Sequence, residues 1–264
     1  IVTGNTARHF GISLAQSLRG PTMKYALQWI RSLLFNMQMY VAMLVVAIIF
    51  LIPMLISQKG ASMAAHVYCW WVVWSARWMI GLRVNIQGDI PQGEVLVAAK
   101  HQSFFDIIVI YNCLPRSKFI MKRQLLFTPI VGQYAYRLGC VPVNRGKGAA
   151  AIRKMVADVA SGRVAPGQLV IYPQGTRVAP GAKRIYKMGS GVLYRELQQD
   201  CVPVALNTGI FWPKRSVLRK AGTATVEFME PIPKGKPVAE FMELMEQAVE
   251  VRSRELMAEV GFYE

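Results

Sequence analysis

Apolar and polar positions follow two different rhythms along this chain. From Met39 to Ile56 there are 18 residues without a charge, with Lys24 and Arg31 before them and Lys59 after. That is the lower end of the length a helix needs to cross a hydrocarbon layer. Pro53, near the end of the run, predicts a kink there. A second apolar stretch, Met63 to Leu82, carries Trp70, Trp71, Trp74 and Trp78 together with His66 and Arg77. Tryptophans so closely spaced suit a lipid–water interface, where the ring body is buried and the indole N–H stays wet. Two spanning helices and a hairpin dipping into one leaflet both fit these stretches, and a pair of buried core helices is the soluble alternative. Residues 1–22 lack the charged-then-apolar pattern of a cleaved signal. They read as a non-native or disordered extension ahead of a membrane-associated two-helix segment over 23–82.

Beyond Leu82 the period shortens. Arg83 to Gln87 alternates like a strand, and Glu94 to Ala99 is a short continuous apolar run, the signature of a strand buried on both faces. Further strands are predicted at Lys118–Met121, Cys140–Val143, Gln168–Tyr172, Val202–Leu206 and Thr223–Phe228. Helices are predicted at Ser103–Cys113, Pro129–Leu138, Lys147–Ser161, Met188–Gln198 and Val238–Val260. Such alternation predicts an α/β domain over 83–264, a mixed, largely parallel sheet flanked by helices.

Charge narrows the partners. The 31 Lys and Arg outnumber the 15 Asp and Glu, a net +16, which attracts nucleic acid, an anionic lipid surface or a phosphorylated substrate. The 53% hydrophobic and 17% charged composition favours the membrane, and no aromatic-plus-basic nucleic-acid motif is present. Cys69, Cys113, Cys140 and Cys201 form no Cys-x-x-Cys pair. They read as reduced, mostly buried thiols in a reducing compartment rather than a disulfide framework or metal site.

The reactive residues recur at one structural place, just past the ends of predicted strands. His101 follows the strand ending at Ala99, Lys122 and Arg123 the one ending at Met121, Asn144 and Arg145 the one ending at Val143, and Gln174-Gly-Thr-Arg177 the one ending at Tyr172. In parallel sheets, ligands bind outside the carboxyl ends of the strands. His101 and Asp106, five residues apart, meet if His101 lies in the turn before a helix and Asp106 in its first turn. Ser103 and Asp106 also spell a capping box, in which Asp106 serves only backbone N–H groups. In the alternative reading Asp106 accepts the Nδ1 proton of His101 and frees Nε2 as a base. Gly175 allows close backbone approach and Arg177 can fork onto a phosphate. Lys183, Arg184 and Lys187 add charge nearby.

These residues together resemble the glycerolipid acyltransferase family, most closely its bacterial 1-acyl-glycerol-3-phosphate acyltransferases. Its His-x4-Asp motif resembles His101 to Asp106. A second resembles Lys122 to Gly132, continuing to Arg145, and a fourth resembles Val202-Pro-Val-Ala205. The third, usually Glu-Gly-Thr-Arg, departs here to Gln174-Gly175-Thr176-Arg177. The resemblance implies His101 as general base, Asp106 as its orienting partner, and Lys122, Arg145, Gln174, Gly175, Thr176 and Arg177 as the acceptor site. It implies acyl transfer from acyl carrier protein or coenzyme A to lysophosphatidic acid, without a metal or a resident cofactor. The setting it implies is the bacterial inner membrane, with the catalytic domain facing the cytoplasm. Another lyso-lipid acceptor such as lyso-ornithine lipid, or a non-catalytic lipid binder on the same fold, stays open.

Overall fold

A computed structural model of the chain describes residues 23–143, 153, 157 and 167–263. Three helices come first: α1 (Met23–Ile49), α2 (Leu51–Ile56) and α3 (Gln58–Met79). Helix α1 starts well before the uncharged run and stops inside it. The ring of Pro53 crowds the carbonyl of Ile49 and offers no N–H to it, so the helix ends there. Phe50 takes a non-helical φ of −95° and ψ of 11°, and the rest of the run winds separately as α2. Ser57 is extended and caps α3, its hydroxyl accepting the N–H of Gly60 at 3.0 Å. A Cβ on Gly60 would lie 2.2 Å from the Pro53 carbonyl oxygen, so only glycine lets the two helices meet so closely.

Helix α1 turns its polar positions inward. Gln28 donates to the carbonyls of Ile80 at 2.9 Å and Arg219 at 2.8 Å. The Ser32 hydroxyl accepts the N–H of Arg219 at 2.9 Å. Phe35 and Met39 continue this stripe into the core. The outer face presents Leu27, Ile30, Leu34, Val41, Leu44 and Ile48. Helix α1 has 27 residues and contains an 18-residue stretch with a mean hydropathy of 2.0, so it is long and apolar enough to cross a membrane. On α3, Trp70, Trp74 and Trp78 are exposed along one helical face.

Seven strands form one sheet: β1 (Leu82–Gln87), β2 (Leu96–Ala99), β3 (Lys118–Lys122), β4 (Val141–Val143), β5 (Leu169–Ile171), β6 (Cys201–Leu206) and β7 (Gly222–Phe228), in the order β1-β7-β6-β2-β5-β3-β4. Every neighbouring pair is parallel except β6 with β7. The mixed, largely parallel sheet of the sequence reading is therefore the observed one. The accompanying helices are α4 (Phe105–Cys113), α5 (Val131–Arg137), α6 (Gly189–Leu197), α7 (Thr208–Phe211) and α8 (Val238–Ala258). Two elements were not expected. One is α7. The other is a 3-10 helix, Arg123–Phe127, that buries none of its residues and so leaves no apolar period. The helix expected over 147–161 lies outside the described residues, apart from Arg153 and Ala157, which are helical.

The period-2 alternation of the central strands sorts the core. Val97 and Ala99 of β2 and Val170 of β5 pack with Phe105, Ile108 and Val109 of α4 and with Val72 and Ala76 of α3. Leu96 and Ala98, with Leu169 and Ile171, pack on the other face against Leu193 and Tyr194 of α6 and Phe241, Met245 and Val249 of α8.

Candidate active site

The alternation continues one step past β2. Lys100 turns to the α8 face, where its ammonium lies 2.5 Å from Glu250 of α8. His101 turns to the α4 face, where its Nδ1 lies 3.0 Å from Oδ2 of Asp106. Asp106 is fully buried. The same Oδ2 accepts the backbone N–H groups of Gln102 at 2.7 Å and Ser103 at 2.9 Å. The helix cap falls at Phe104 and makes no side-chain bond, so the expected box is only half formed: Asp106 ties the Gln102–Ser103 turn ahead of α4 and holds the histidine with the same oxygen. The Ser103 hydroxyl accepts the N–H of Phe105 at 3.1 Å and donates to the Trp212 carbonyl at 2.8 Å. With Nδ1–H donating to a carboxylate, the lone pair of the imidazole is left on Nε2.

Three contacts hold the pair. The Thr208 hydroxyl, at the start of α7 just after β6, donates to Oδ1 of Asp106. The Tyr172 ring stacks on His101 with centroids 3.9 Å apart, which fixes the plane of the imidazole. Burial first, and then the charge of Asp106, push the Tyr172 phenol well above its ordinary range, so it stays protonated. Finally, the His101 carbonyl accepts the N–H of Val178 at 2.7 Å, tying the loop of residues 174–178 to the histidine. Helix α1 leans on this assembly through Trp212, whose ring stacks on Phe105 at 5.0 Å and meets Phe35 edge-on at 5.5 Å.

Strands β2, β5 and β3 run parallel, so the residues after them share one edge of the sheet. Lys122 is exposed at the end of β3. Gly175 adopts a φ of +68° in a turn whose N–H reaches the Tyr172 carbonyl at 2.8 Å. Thr176 and Arg177 follow it, both half-buried. The Arg177 carbonyl accepts Lys214 Nζ at 3.2 Å. Lys214 is held below its ordinary value by desolvation and then by Arg215, Arg177, Lys122 and Arg184. As its ammonium is exposed, the four like charges are the consequential part of that shift. They mark a cationic cluster around the loop that carries Arg177. Gln174 behaves differently. Its side chain is 2% exposed, and its Nε2 is turned to Glu250 at 3.2 Å and the Arg184 carbonyl at 3.4 Å. Arg145 lies outside the described residues.

The sequence reading missed Thr208, Tyr172, Lys214 and Glu250. Thr208 follows the strand Val202–Leu206 and Tyr172 closes the strand before Gln174, so the strand-end rule leads to both. Lys214-Arg215 is a visible basic doublet. No local signal marks Glu250 on an amphipathic helix.

The Acyltransferase family model matches residues 81–207. The 1-acyl-sn-glycerol-3-phosphate acyltransferase of Pseudomonas aeruginosa is 24% identical over 179 residues, which are 67% of this chain and 70% of that protein. The human 1-acyl-sn-glycerol-3-phosphate acyltransferase beta is 30% identical over 169 residues, 62% of this chain and 60% of that protein. The crystal structure of the 1-acyl-sn-glycerophosphate (LPA) acyltransferase PlsC from Thermotoga maritima matches with a TM-score of 0.72 at 20% identity, covering 90% of this chain and 99% of that one. At that identity the likeness is one of fold. Residues 81–207, which carry His101, Asp106 and Arg177, are a domain of the Acyltransferase family.

Proposed function

We propose that this chain transfers an acyl group from a thioester of acyl carrier protein or coenzyme A to the 2-hydroxyl of 1-acyl-glycerol-3-phosphate, giving phosphatidic acid. The observation that carries the reading is the His101–Asp106 pair at 3.0 Å, buried on its carboxylate side and framed by a cationic loop. Nε2 of His101 takes the proton of the acceptor hydroxyl as its oxygen attacks the thioester carbonyl. The tetrahedral intermediate collapses, and the departing thiolate takes the proton back from the imidazolium. Asp106 steadies the imidazolium between these steps. Lys122, Arg177 and Lys214, with Arg145 by its resemblance to the family's second motif, would hold the acceptor phosphate, and such positioning lowers the barrier by holding the hydroxyl in reach. The same names recur among the relatives above.

The outward apolar face of α1 and the exposed Trp70, Trp74 and Trp78 support seating in a lipid bilayer, since an apolar surface of that extent is unfavourable in water. The four free cysteines fit a reducing compartment, so this reading places the site on the cytoplasmic side of the bacterial inner membrane.

The test supplies purified protein with a panel of lyso-lipids and both donor types, then identifies the products by mass. Phosphatidic acid forms with wild type, and His101→Ala lowers its formation by about 10²–10⁴-fold with the fold intact. Near-normal turnover by that variant would overturn the assignment of the base. Lipid binding without thiol release would turn the reading to a non-catalytic binder.

A further inference from the structure

Lys100 and His101 share a peptide bond and are held from opposite faces of the sheet. His101 is fixed by Asp106 on one side. On the other, Glu250 of α8 receives Lys100 at 2.5 Å, the Tyr186 hydroxyl at 2.9 Å and Gln174 Nε2 at 3.2 Å. Lys100 is 4% exposed, and the carboxylate its ammonium is hydrogen-bonded to is that of Glu250. Gln174 stands where the resembling motif usually carries glutamate. Among the described residues, its buried Oε1 accepts no hydrogen bond.

A carboxylate at 174 would set an oxygen in place of Nε2, facing two acceptors, the Glu250 oxygen and the Arg184 carbonyl. It would also set a second carboxylate directly against that of Glu250 at a position that is 2% exposed, where like charges are costly. Glu246, one turn earlier on α8, is already pushed up, by burial and then by Glu250, with Lys100 acting in the opposite direction. One carboxylate hydrogen-bonded to Lys100 fits beside Gln174; a second in direct contact with it does not, and none leaves the buried ammonium without its hydrogen-bonded partner.

We propose that Glu250 is a positioning residue: from the C-terminal helix it supplies the carboxylate hydrogen-bonded to Lys100, and with Gln174 it forms an exchangeable pair that sets the Lys100–His101 peptide and thereby the aim of the histidine. Exchange is the signature. Gln174→Glu adds a charge and Glu250→Gln removes one, and the double variant restores the total while moving the carboxylate from one side chain to its neighbour.

The test measures kcat and KM for acyl transfer, which rests on the function proposed above, and the downfield proton resonance of the His101–Asp106 hydrogen bond by NMR, which does not. Each single variant lowers kcat by about 10–100-fold with KM little changed, as expected of a small misplacement of a reacting group, and displaces the resonance. The double variant returns kcat to within about threefold of wild type and returns the resonance. Losses that add in the double variant, or single variants that match wild type, overturn the proposal. If Glu250→Gln does not fold, Tyr186→Phe decides. It removes one donor from Glu250 and leaves every charge in place. A several-fold lower kcat and a displaced resonance support the proposal, and unchanged values overturn it. Wild-type protein that moves no acyl group would count against the function, and the resonance would still judge the pair.

Discussion

The Thr208 hydroxyl donates to Oδ1 of Asp106, the carboxylate oxygen that His101, Gln102 and Ser103 leave untouched. The two residues lie 102 positions apart in the chain. Strand β6 runs parallel to β2, so the loop after it opens at the same edge of the sheet as His101. Thr208→Val keeps the shape of the side chain and removes the donor. Leaving a buried acceptor unsatisfied costs about 1–3 kcal/mol. The variant is expected to melt at a lower temperature and to lose about tenfold in kcat with KM unchanged, while Thr208→Ser keeps most of both. Steady-state kinetics beside thermal melts check this, and a fully active Thr208→Val would remove Thr208 from the site.

Asp106→Asn separates orientation from charge. Oδ2 receives three N–H donors, so an asparagine must place its carbonyl oxygen there and turn its amino group to Thr208, whose hydroxyl oxygen can accept. The turn before α4 remains tied and the imidazole stays in place, but no negative charge faces the imidazolium once Nε2 has taken its proton. The expected outcome is a near-native circular dichroism spectrum with kcat reduced by about 10²-fold or more. A variant that retains wild-type kcat would show that Asp106 serves that turn alone.

Much of this was legible in the sequence, for identifiable reasons. Leu96 to Ala99 are buried on both faces and therefore read as one apolar run, which placed β2 and with it His101. The loop ends after β3 and β5 followed from the same rule. Other parts were hidden by physics that acts over long range or over less than one period. Gln28 and Ser32 interrupt the apolar pattern of α1, and the interruption is its inner face, satisfied by carbonyls of Ile80 and Arg219 far along the chain. Helix α7 is too short to show a helical repeat. Glu250 lies 150 residues from Lys100 and resembles any solvated acid on an amphipathic helix. Gln174 was visible as a departure from its motif, but its reason is visible only across the sheet.

Gly175 is a conformational requirement of the loop that presents Thr176 and Arg177. Its φ of +68° disfavours any side chain by about 1–2 kcal/mol, and a Cβ would sit 2.6 Å from Lys187 Nζ. The lysine end can move aside, so strain dominates. Gly175→Ala is expected to lower stability by about 1 kcal/mol and to raise KM for the acceptor by moving Arg177. Chemical denaturation and acceptor titration measure the two effects. An unchanged KM with the stability loss present would mean that the turn does not set the position of Arg177.

The cationic cluster of Lys122, Arg177, Arg184, Lys214 and Arg215 gives the sharpest electrostatic test. Like charges held together raise each other's energy, and a dianionic phosphate relieves that repulsion. Removing one member therefore weakens acceptor binding but eases crowding among the rest, and the net effect depends on salt, since exposed charges are screened over about 8–10 Å at moderate ionic strength. Lys214→Ala is expected to raise KM for a phosphate-bearing lyso-lipid about three- to tenfold at low salt and less at high salt, leaving kcat near wild type. With a lyso-lipid lacking the phosphate the substitution should have little effect on KM. Measuring KM for both acceptors across a salt series decides the matter. Equal losses for the two lipids would assign the cluster to the membrane surface or the acyl donor instead of the acceptor phosphate.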